Sequence, residues 1–119
     1  MIKFILPFPP TVNKKYGINK KTGKRYNLAA VKEWKRQATE ALNMQNVLPV
    51  QGRVIIEYSL DTPDNRERDC ANYEKYTTDF LVQQGILKGD SRRYVRGILT
   101  YWNDTPGNAI HITINQFNA

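Results

Sequence analysis

The amino-acid sequence predicts a single α+β domain in which two helices cover one face of a mixed or largely antiparallel sheet, in the order β-α-β-α-β-β. Three observations predict this class. In several short runs, β-branched and other apolar residues alternate with polar residues. In two longer stretches, apolar residues recur every three or four positions. Turns that contain Gly or Pro separate these segments. A chain of 119 residues is long enough for one core but not for two, so we expect residues 1–119 to form one domain.

The first part of the chain predicts a strand and a helix. Residues 2–8, IKFILPF, have strand character that ends at Pro9 and Pro10, because proline cannot donate a ladder hydrogen bond. Residues 28–45 predict the first helix, since apolar residues recur there at helical spacing and Asn27 can cap the first turn.

The middle of the chain predicts a second strand and a second helix. Residues 52–60, GRVIIEYSL, have the β-branched content and alternation of a strand, and the polar loop DTPDNRERD follows. Residues 70–84 predict the second helix, with Asp69 as its N-cap and Gly85 as its terminator.

The last part of the chain predicts two strands. They span about residues 94–102 and 109–117 and are joined by the turn signal NDTPGN, so we expect a closing hairpin. Isoleucine occupies every second position from 110 to 114, which buries one face and leaves His111 on the other. No partner for a catalytic dyad is visible for His111, which we interpret as a structural or exposed histidine.

Composition excludes several classes of protein. No apolar run approaches the roughly 20 residues that span a bilayer, and the start, MIKFILPFPP, is unlike a signal peptide, so we expect a cytoplasmic protein with no membrane partner. The single cysteine, Cys70, agrees with a reducing compartment. One cysteine and one histidine also argue against a structural zinc site.

The net charge of +7 is unevenly distributed. Residues 1–60 contain 11 Lys and Arg against 3 Asp and Glu, whereas residues 61–119 contain 7 against 8. A basic half joined to a half rich in carboxylates is typical of a protein that binds a polyanion with one part and handles a cation or does chemistry with the other. The alternative is a small basic protein that binds no nucleic acid.

Residues 11–27, TVNKKYGINKKTGKRYN, predict a mobile basic hairpin or flap. Tyrosines interleave with its cations, so it can combine phosphate contacts with base stacking. The alternative is a solvated loop. Together with three polar residues flanking the second helix, the segment supplies our candidate DNA-binding residues: Asn13, Lys14, Lys15, Tyr16, Lys20, Lys21, Lys24, Arg25, Arg66, Arg68 and Asn72.

Carboxylates converge on the second helix. Ala71, Lys75 and Asp79 are spaced by four residues and share one stripe. Asp69 precedes the helix, and Asp90 lies in a short loop that can fold back toward it. Two or three carboxylates so placed suit magnesium, which polarises phosphate and generates hydroxide in phosphodiester hydrolysis. The alternative is a set of structural roles: an N-cap, an i,i+4 ion pair and a loop residue.

At these residues the sequence resembles the RusA family of Holliday junction resolvases, small phage and prophage endonucleases. The family pattern has Pro-x-Pro-Pro, then Asn and Tyr, then Arg-Asp-x-Asp-Asn-x-x-Lys, a further Asp, a helix-ending Gly and an Asp-Asp pair. The matching positions, which extend over nearly the whole chain, are Pro7, Pro9, Pro10, Asn13, Tyr16, Arg68, Asp69, Asn72, Lys75, Asp79, Gly85 and Asp90.

The resemblance implies a homodimeric, magnesium-dependent endonuclease that binds four-way DNA junctions and makes paired symmetric nicks. It implies that Asp69 and Asp90 are metal-binding catalytic carboxylates and that Lys75 is a catalytic or phosphate-contacting lysine. Manganese is a possible substitute for magnesium, and no nucleotide cofactor is implied. A C2 dimer suits a two-fold junction.

Two positions depart from the family pattern. Ala71 stands where the second aspartate of Asp-x-Asp is expected, and Gly89 stands where the first of the Asp-Asp pair is expected. Cys70 is no replacement, because adjacent helical residues point about 100° apart and magnesium disfavours sulfur. We therefore expect a chain that folds and binds junction DNA but is catalytically impaired, through an engineered or natural replacement of aspartate.

A second interpretation belongs to another class of protein. The chain is then a non-catalytic, structure-selective DNA-binding protein that occupies or remodels branched DNA.

Overall fold

In a computed structural model of the chain, residues 1–10, 16–18, 25–27 and 29–117 are described, with the backbone alone for 16–18 and 25–27. The elements follow one another as β1 (Ile2–Pro7), β2 (Tyr16–Ile18), β3 (Arg25–Asn27), α1 (Ala29–Met44), β4 (Val54–Thr62), α2 (Ala71–Gln83), β5 (Val95–Pro106) and β6 (Ala109–Gln116).

Four of these strands form a mixed sheet in the order β1-β6-β4-β5. Strand β6 pairs antiparallel with β1 and with β4, whereas β4 pairs parallel with β5. Strands β2 and β3 form a separate antiparallel pair within the basic segment. The predicted α+β class, with the order β-α-β-α-β-β around the four-stranded sheet, is confirmed.

The predicted closing hairpin between the last two strands is wrong. Strand β4 lies between β5 and β6, and α2 forms the crossover that parallel neighbours require. The end of β5 lies beside the end of β4, where Pro106 is paired with Thr62. The Gly107 N–H also donates to the Thr62 carbonyl at 3.2 Å. Alternation along a strand predicts which face is buried but not which strand lies beside it.

Both helices pack on one face of the sheet, around Trp34 of α1. Its ring centroid lies 5.2 Å from that of Tyr76 and 4.8 Å from that of Phe80, both on α2, in edge-on geometry. The Trp34 indole N–H donates to the Pro7 carbonyl at 2.9 Å, which ties the helix to the end of β1. The buried faces predicted for both helices are confirmed for the described residues, including Val31, Trp34, Ala38, Leu42, Tyr73, Tyr76, Thr77, Phe80 and Leu81.

The opposite face of the sheet is not covered by either helix. It exposes Ile5, Ile55, Leu99 and Tyr101 together with the half-exposed His111. Edge strand β5 also exposes Ile98 on its other side. Apolar side chains therefore line one edge of the sheet on both of its faces.

Helix α2 ends in a Schellman motif that directs the chain back toward the core. Gly85 has φ +76°, its N–H donates to the Val82 carbonyl, and the Ile86 N–H donates to the Leu81 carbonyl at 3.0 Å. Ile86 and Leu87 are then buried. The loop that follows is thereby held against α2.

Neither helix in the described ranges is long and apolar enough to cross a membrane.

Candidate functional site

Lys75 is the centre of an acidic cluster on the exposed side of α2. Its Nζ donates to Asp79 Oδ1 at 3.1 Å and to Asp90 Oδ2 at 3.3 Å. The hydrogen bond to Asp79, followed by that to Asp90, raises the pKa of Lys75 and keeps the ammonium charged. The predicted i,i+4 pair is present, and the loop carrying Asp90 does fold back onto the helix.

Asp69 and Ala71 lie at the start of the same helix. The Asp69 Oδ1 accepts the Ala71 N–H at 3.1 Å, while Cys70 has helical dihedral angles and makes no side-chain cap of its own. Helix α2 begins at Ala71 with Cys70 at the N-cap position, so the predicted N-cap, Asp69, lies one residue earlier, although its side chain does bind an N–H of the first turn. Ala71 is exposed, one helical turn or about 6 Å before Lys75 along the axis, so a side chain at 71 lies between Asp69 and the Lys75 cluster.

The carboxylates near α2 occupy two places, the start of the helix and the surroundings of Lys75. Within the described residues no three Asp, Glu, His or Cys side chains come together in a way that could hold a metal ion. Magnesium takes six oxygen ligands and relies on at least one or two carboxylates. Asp79 and Asp90 meet at Lys75 and Asp69 lies at the helix start, so one or two carboxylates are present but the described residues form no three-ligand group with alanine at 71.

Cys70 does not replace the missing ligand. Its Sγ lies 3.8 Å from the Thr100 carbonyl oxygen on β5. The thiol is thus directed toward the sheet and away from the stripe of Ala71, Lys75 and Asp79.

Gly89, the second departure, is packed against an aromatic ring. A Cβ added at this position would lie 2.8 Å from Cδ2 of Tyr94. An aspartate here would require the Tyr94 ring to move, so the glycine and the tyrosine fit one another. The sequence alone gives no sign of this contact.

Asp64 organises the loop that leads into α2, a role that sequence reasoning missed. Its two carboxylate oxygens accept from Arg68 Nε at 3.1 Å and Nη2 at 2.5 Å, and from the N–H and Nε of Arg66 at 3.0 and 3.3 Å. Arg68 Nη1 also donates to the hydroxyl of Tyr73 at 2.7 Å. This arrangement holds Arg68 against the first turn of the helix, beside Asp69.

We expect Asp64 to make stability dependent on acid pH. The hydrogen bonds from Arg68, then those from Arg66, hold the pKa of Asp64 well below its usual value. A carboxylate whose pKa is lower in the folded state stabilises that state above about pH 4 and loses this effect as the pH falls toward its folded pKa. Asp64→Asn should therefore have a lower Tm than the unaltered chain at pH 7, and the difference should narrow below about pH 4. Melting curves by circular dichroism measure this, and a difference that stays constant down to pH 2 would contradict it.

His111 has a partner that the sequence did not reveal. Its Nε2 lies 2.9 Å from Oδ1 of Asp61, which is 8% exposed and also accepts from Asn103 Nδ2 at 2.9 Å. Burial alone would raise the pKa of Asp61, but the bonds from Asn103, His111 and the Ala109 N–H together lower it. The interpretation of His111 as a structural or exposed residue stays a prediction. The structure adds a hydrogen-bond partner for it, Asp61. Asp61 lies within β4 and not in the predicted polar loop.

Most of the predicted DNA-binding residues fall outside the described ranges. Asn13, Lys14, Lys15, Lys20, Lys21 and Lys24 do so entirely, while the backbone of Tyr16 lies in β2 and that of Arg25 in β3. The side chain of Arg66 is 75% exposed, whereas that of Arg68 is 19% exposed and engaged by Asp64 and Tyr73.

Three adjoining depressions surround the loop before α2. One is lined by Asp64, Arg66, Trp102 and Asp104, a second by Asp69 and Trp102, and a third by Arg66, Asp69 and Asn72. Trp102 lies in an aromatic group with Phe8 and Tyr73, with ring centroids 6.2 and 6.0 Å away. The candidate site thus continues from the Lys75 cluster past Asp69 to an aromatic wall.

A comparison with protein-family models matches residues 7–115 to the family described as endodeoxyribonuclease RusA. No curated protein matches the chain.

Proposed function

The chain belongs to the RusA family of endodeoxyribonucleases, and from this premise we propose that it binds four-way DNA junctions and resolves them by paired nicks when its set of carboxylates is complete. The resemblance of the motif to this family implies branched DNA as the substrate. The observation that carries the proposal is the cluster of Lys75, Asp79 and Asp90, because a helix and the loop that follows it bring together three residues that match the family motif.

We assign the chemistry to three side chains. Asp69 and Asp90 are the carboxylates proposed to hold magnesium, or manganese in its place, once position 71 is aspartate. The metal supplies a polarised phosphate and a hydroxide nucleophile. Lys75, whose raised pKa keeps it protonated, offsets the negative charge that develops on the phosphate.

The chain with Ala71 is proposed to bind junctions while cleaving them poorly. Alanine supplies no ligand, and the described carboxylates form no three-member cluster. Removing one acidic residue from a surface that faces phosphates also removes repulsion, so metal-free binding is expected to be tighter with alanine than with aspartate at 71.

Binding to junction DNA tests the first part of the proposal. The unaltered chain, free of metal, should bind a four-way junction at least about tenfold more tightly than a linear duplex of the same sequence at equal salt. The logarithm of the binding constant should fall linearly with the logarithm of salt concentration, and its slope counts the phosphates neutralised. Equal affinity for both DNAs would remove junction recognition from the proposal.

The non-catalytic DNA-binding protein is the second candidate. The alanine at 71 and the incomplete donor set favour it. Restoring an aspartate separates the two candidates, as described in the Discussion.

We propose that the protein is a homodimer and that the second copy docks on edge strand β5. An edge strand offers unpaired backbone groups, and β5 exposes Ile98, Leu99 and Tyr101 beside them. The same strand on two copies forms a self-complementary contact about a two-fold axis. Two active sites related by that axis suit symmetric nicks in a junction.

Leu99→Lys is expected to weaken the dimer by about tenfold or more, because it places a charge among apolar side chains at the proposed interface. Analytical ultracentrifugation over a concentration series measures the dissociation constant. Leu48→Lys is the matched control, since Leu48 is 71% exposed and lies away from the sheet edge. If both variants dimerise like the unaltered chain, the interface lies elsewhere; if the unaltered chain is a monomer, the homodimer itself is wrong.

A further inference from the structure

We propose that the cleft beside Trp102 holds one unpaired nucleobase of the bound DNA, stacked against the indole ring. The inference rests on the proposed function, and it adds a binding site for a single base at the branch point.

The size of the cleft suits one ring system. Its volume is about 190 Å³, and it lies between Trp102 and the loop that carries Pro63, Asp64 and Arg66. Pockets for whole drug-sized ligands measure roughly 300–1,000 Å³, so this cleft has room for a single planar ring system and not for a larger ligand within it. A single base entering from the open side is a ligand of that size.

Trp102 is held as a stacking platform. It lies nearly parallel to Phe8, with 19° between the ring planes, and edge-on to Tyr73 at 76°. These contacts restrict the indole while leaving it partly exposed to the cleft. Aromatic side chains that are fixed in this way bind bases of any sequence through their π faces.

The cleft is continuous with the candidate active site. Trp102 also lines the neighbouring depression, which contains Asp69. A strand with a phosphate at Asp69 therefore brings an adjacent base to Trp102. Arg66, with 75% of its side chain exposed, lines the same cleft and is available to a flanking phosphate.

Asp104 supplies the polar edge of the site. Both oxygens of Asp64 already accept two hydrogen bonds each from Arg66 and Arg68, which fills their capacity. No side chain or backbone group in the described part of the structure donates to the Asp104 carboxylate, whose residue has the uncommon φ of +61°. A carboxylate acceptor favours bases with an exocyclic amino group over thymine.

The base must be unpaired, because a base within a duplex is stacked on both faces and its Watson–Crick edge is hydrogen-bonded to the complementary base. Four-way junctions can release bases at the branch point, whereas linear duplex does not. The site therefore contributes to discrimination between branched and linear DNA and to the choice of base beside the cut.

Three variants test the inference on the full chain without metal. Trp102→Leu keeps an apolar side chain but removes the ring, and it should weaken binding to a four-way junction about tenfold while leaving duplex binding unchanged. Trp102→Phe keeps a ring and should bind the junction within about threefold of the unaltered chain. Asp104→Asn should reduce the preference for junctions with adenine or cytosine over those with thymine at the branch point.

Tryptophan fluorescence provides a readout that does not depend on affinity. Trp34 is buried in the core at 6% exposure, so quenching of emission on junction binding should come from Trp102 and should disappear in Trp102→Phe. Junction preference that survives in Trp102→Leu, or quenching that persists in Trp102→Phe, overturns the base site alone. Absence of junction preference in the unaltered chain overturns the proposed function instead.

Discussion

Ala71→Asp should raise the rate of magnesium-dependent junction cleavage by at least about 100-fold. The new carboxylate would lie between Asp69 and the cluster of Lys75 and Asp90, where the present chain has a methyl group. A metal ligand in a phosphodiester site contributes several kcal/mol of transition-state stabilisation, and each 1.36 kcal/mol is a factor of ten in rate. The measurement is single-turnover cleavage of a labelled four-way junction, with linear duplex in parallel.

Two companion variants show whether charge and position account for the effect. Ala71→Asn introduces a side chain of nearly the same shape as aspartate but without its charge. Junction cleavage by this variant should stay as slow as by the unaltered chain. Gly89→Asp restores the other family residue, yet it should not raise the rate, because its Cβ would lie 2.8 Å from the Tyr94 ring. Junction binding without nicks in Ala71→Asp would favour the non-catalytic DNA-binding protein.

Gly107→Ala should lower the free energy of unfolding by about 1–3 kcal/mol. A Cβ at this position would lie 2.5 Å from Asp61 Oδ2 and 3.0 Å from its Cγ. The carboxylate cannot easily move away, because Asn103 and His111 hold it and the residue is buried. Urea denaturation followed by circular dichroism measures the change.

Gly97→Ala is the matched control for this substitution. Gly97 lies in β5, the strand that ends just before Gly107, and a Cβ there meets no atom within 4 Å. Its stability should therefore equal or slightly exceed that of the unaltered chain, since alanine reduces the entropy of the unfolded state. Equal losses of stability at 97 and 107 would mean that the loss at 107 does not come from the contact with Asp61.

The helices and the buried faces of the strands were predictable because their signals are local. Apolar spacing defined α1 and α2 to within one or two residues, and Gly85 ends α2 as expected. The parallel pairing of β4 with β5 was not predictable, since alternation says nothing about neighbours. The extension of β4 to Thr62 was missed because Asp61 is polar and is buried only by virtue of distant hydrogen bonds.

Residues of the candidate site could be predicted where they follow the helical repeat. Contacts that depend on the tertiary fold could not. Four-residue spacing indicated the pair of Lys75 and Asp79, and a short loop after the helix indicated Asp90. The partner of His111 is 50 residues away in the sequence, so no spacing rule could find it. Trp102 meets Asp69 across a shallow depression, through strand pairing that the sequence pattern did not contain.

The Schellman turn after α2 has a consequence for how protein and DNA adjust to one another. Because Ile86 and Leu87 are anchored in the core, the start of the loop with Asp90 is set in place when the protein folds. Opening its start requires exposure of core residues, so the amides of Ile86 and Leu87, which donate to the Leu81 carbonyl, should exchange with solvent only in large unfolding events. For the junction binding proposed above, a preformed site requires the DNA to change shape to fit. A four-way junction, whose arms can rotate about the branch point, is better able to do so than a stiff duplex.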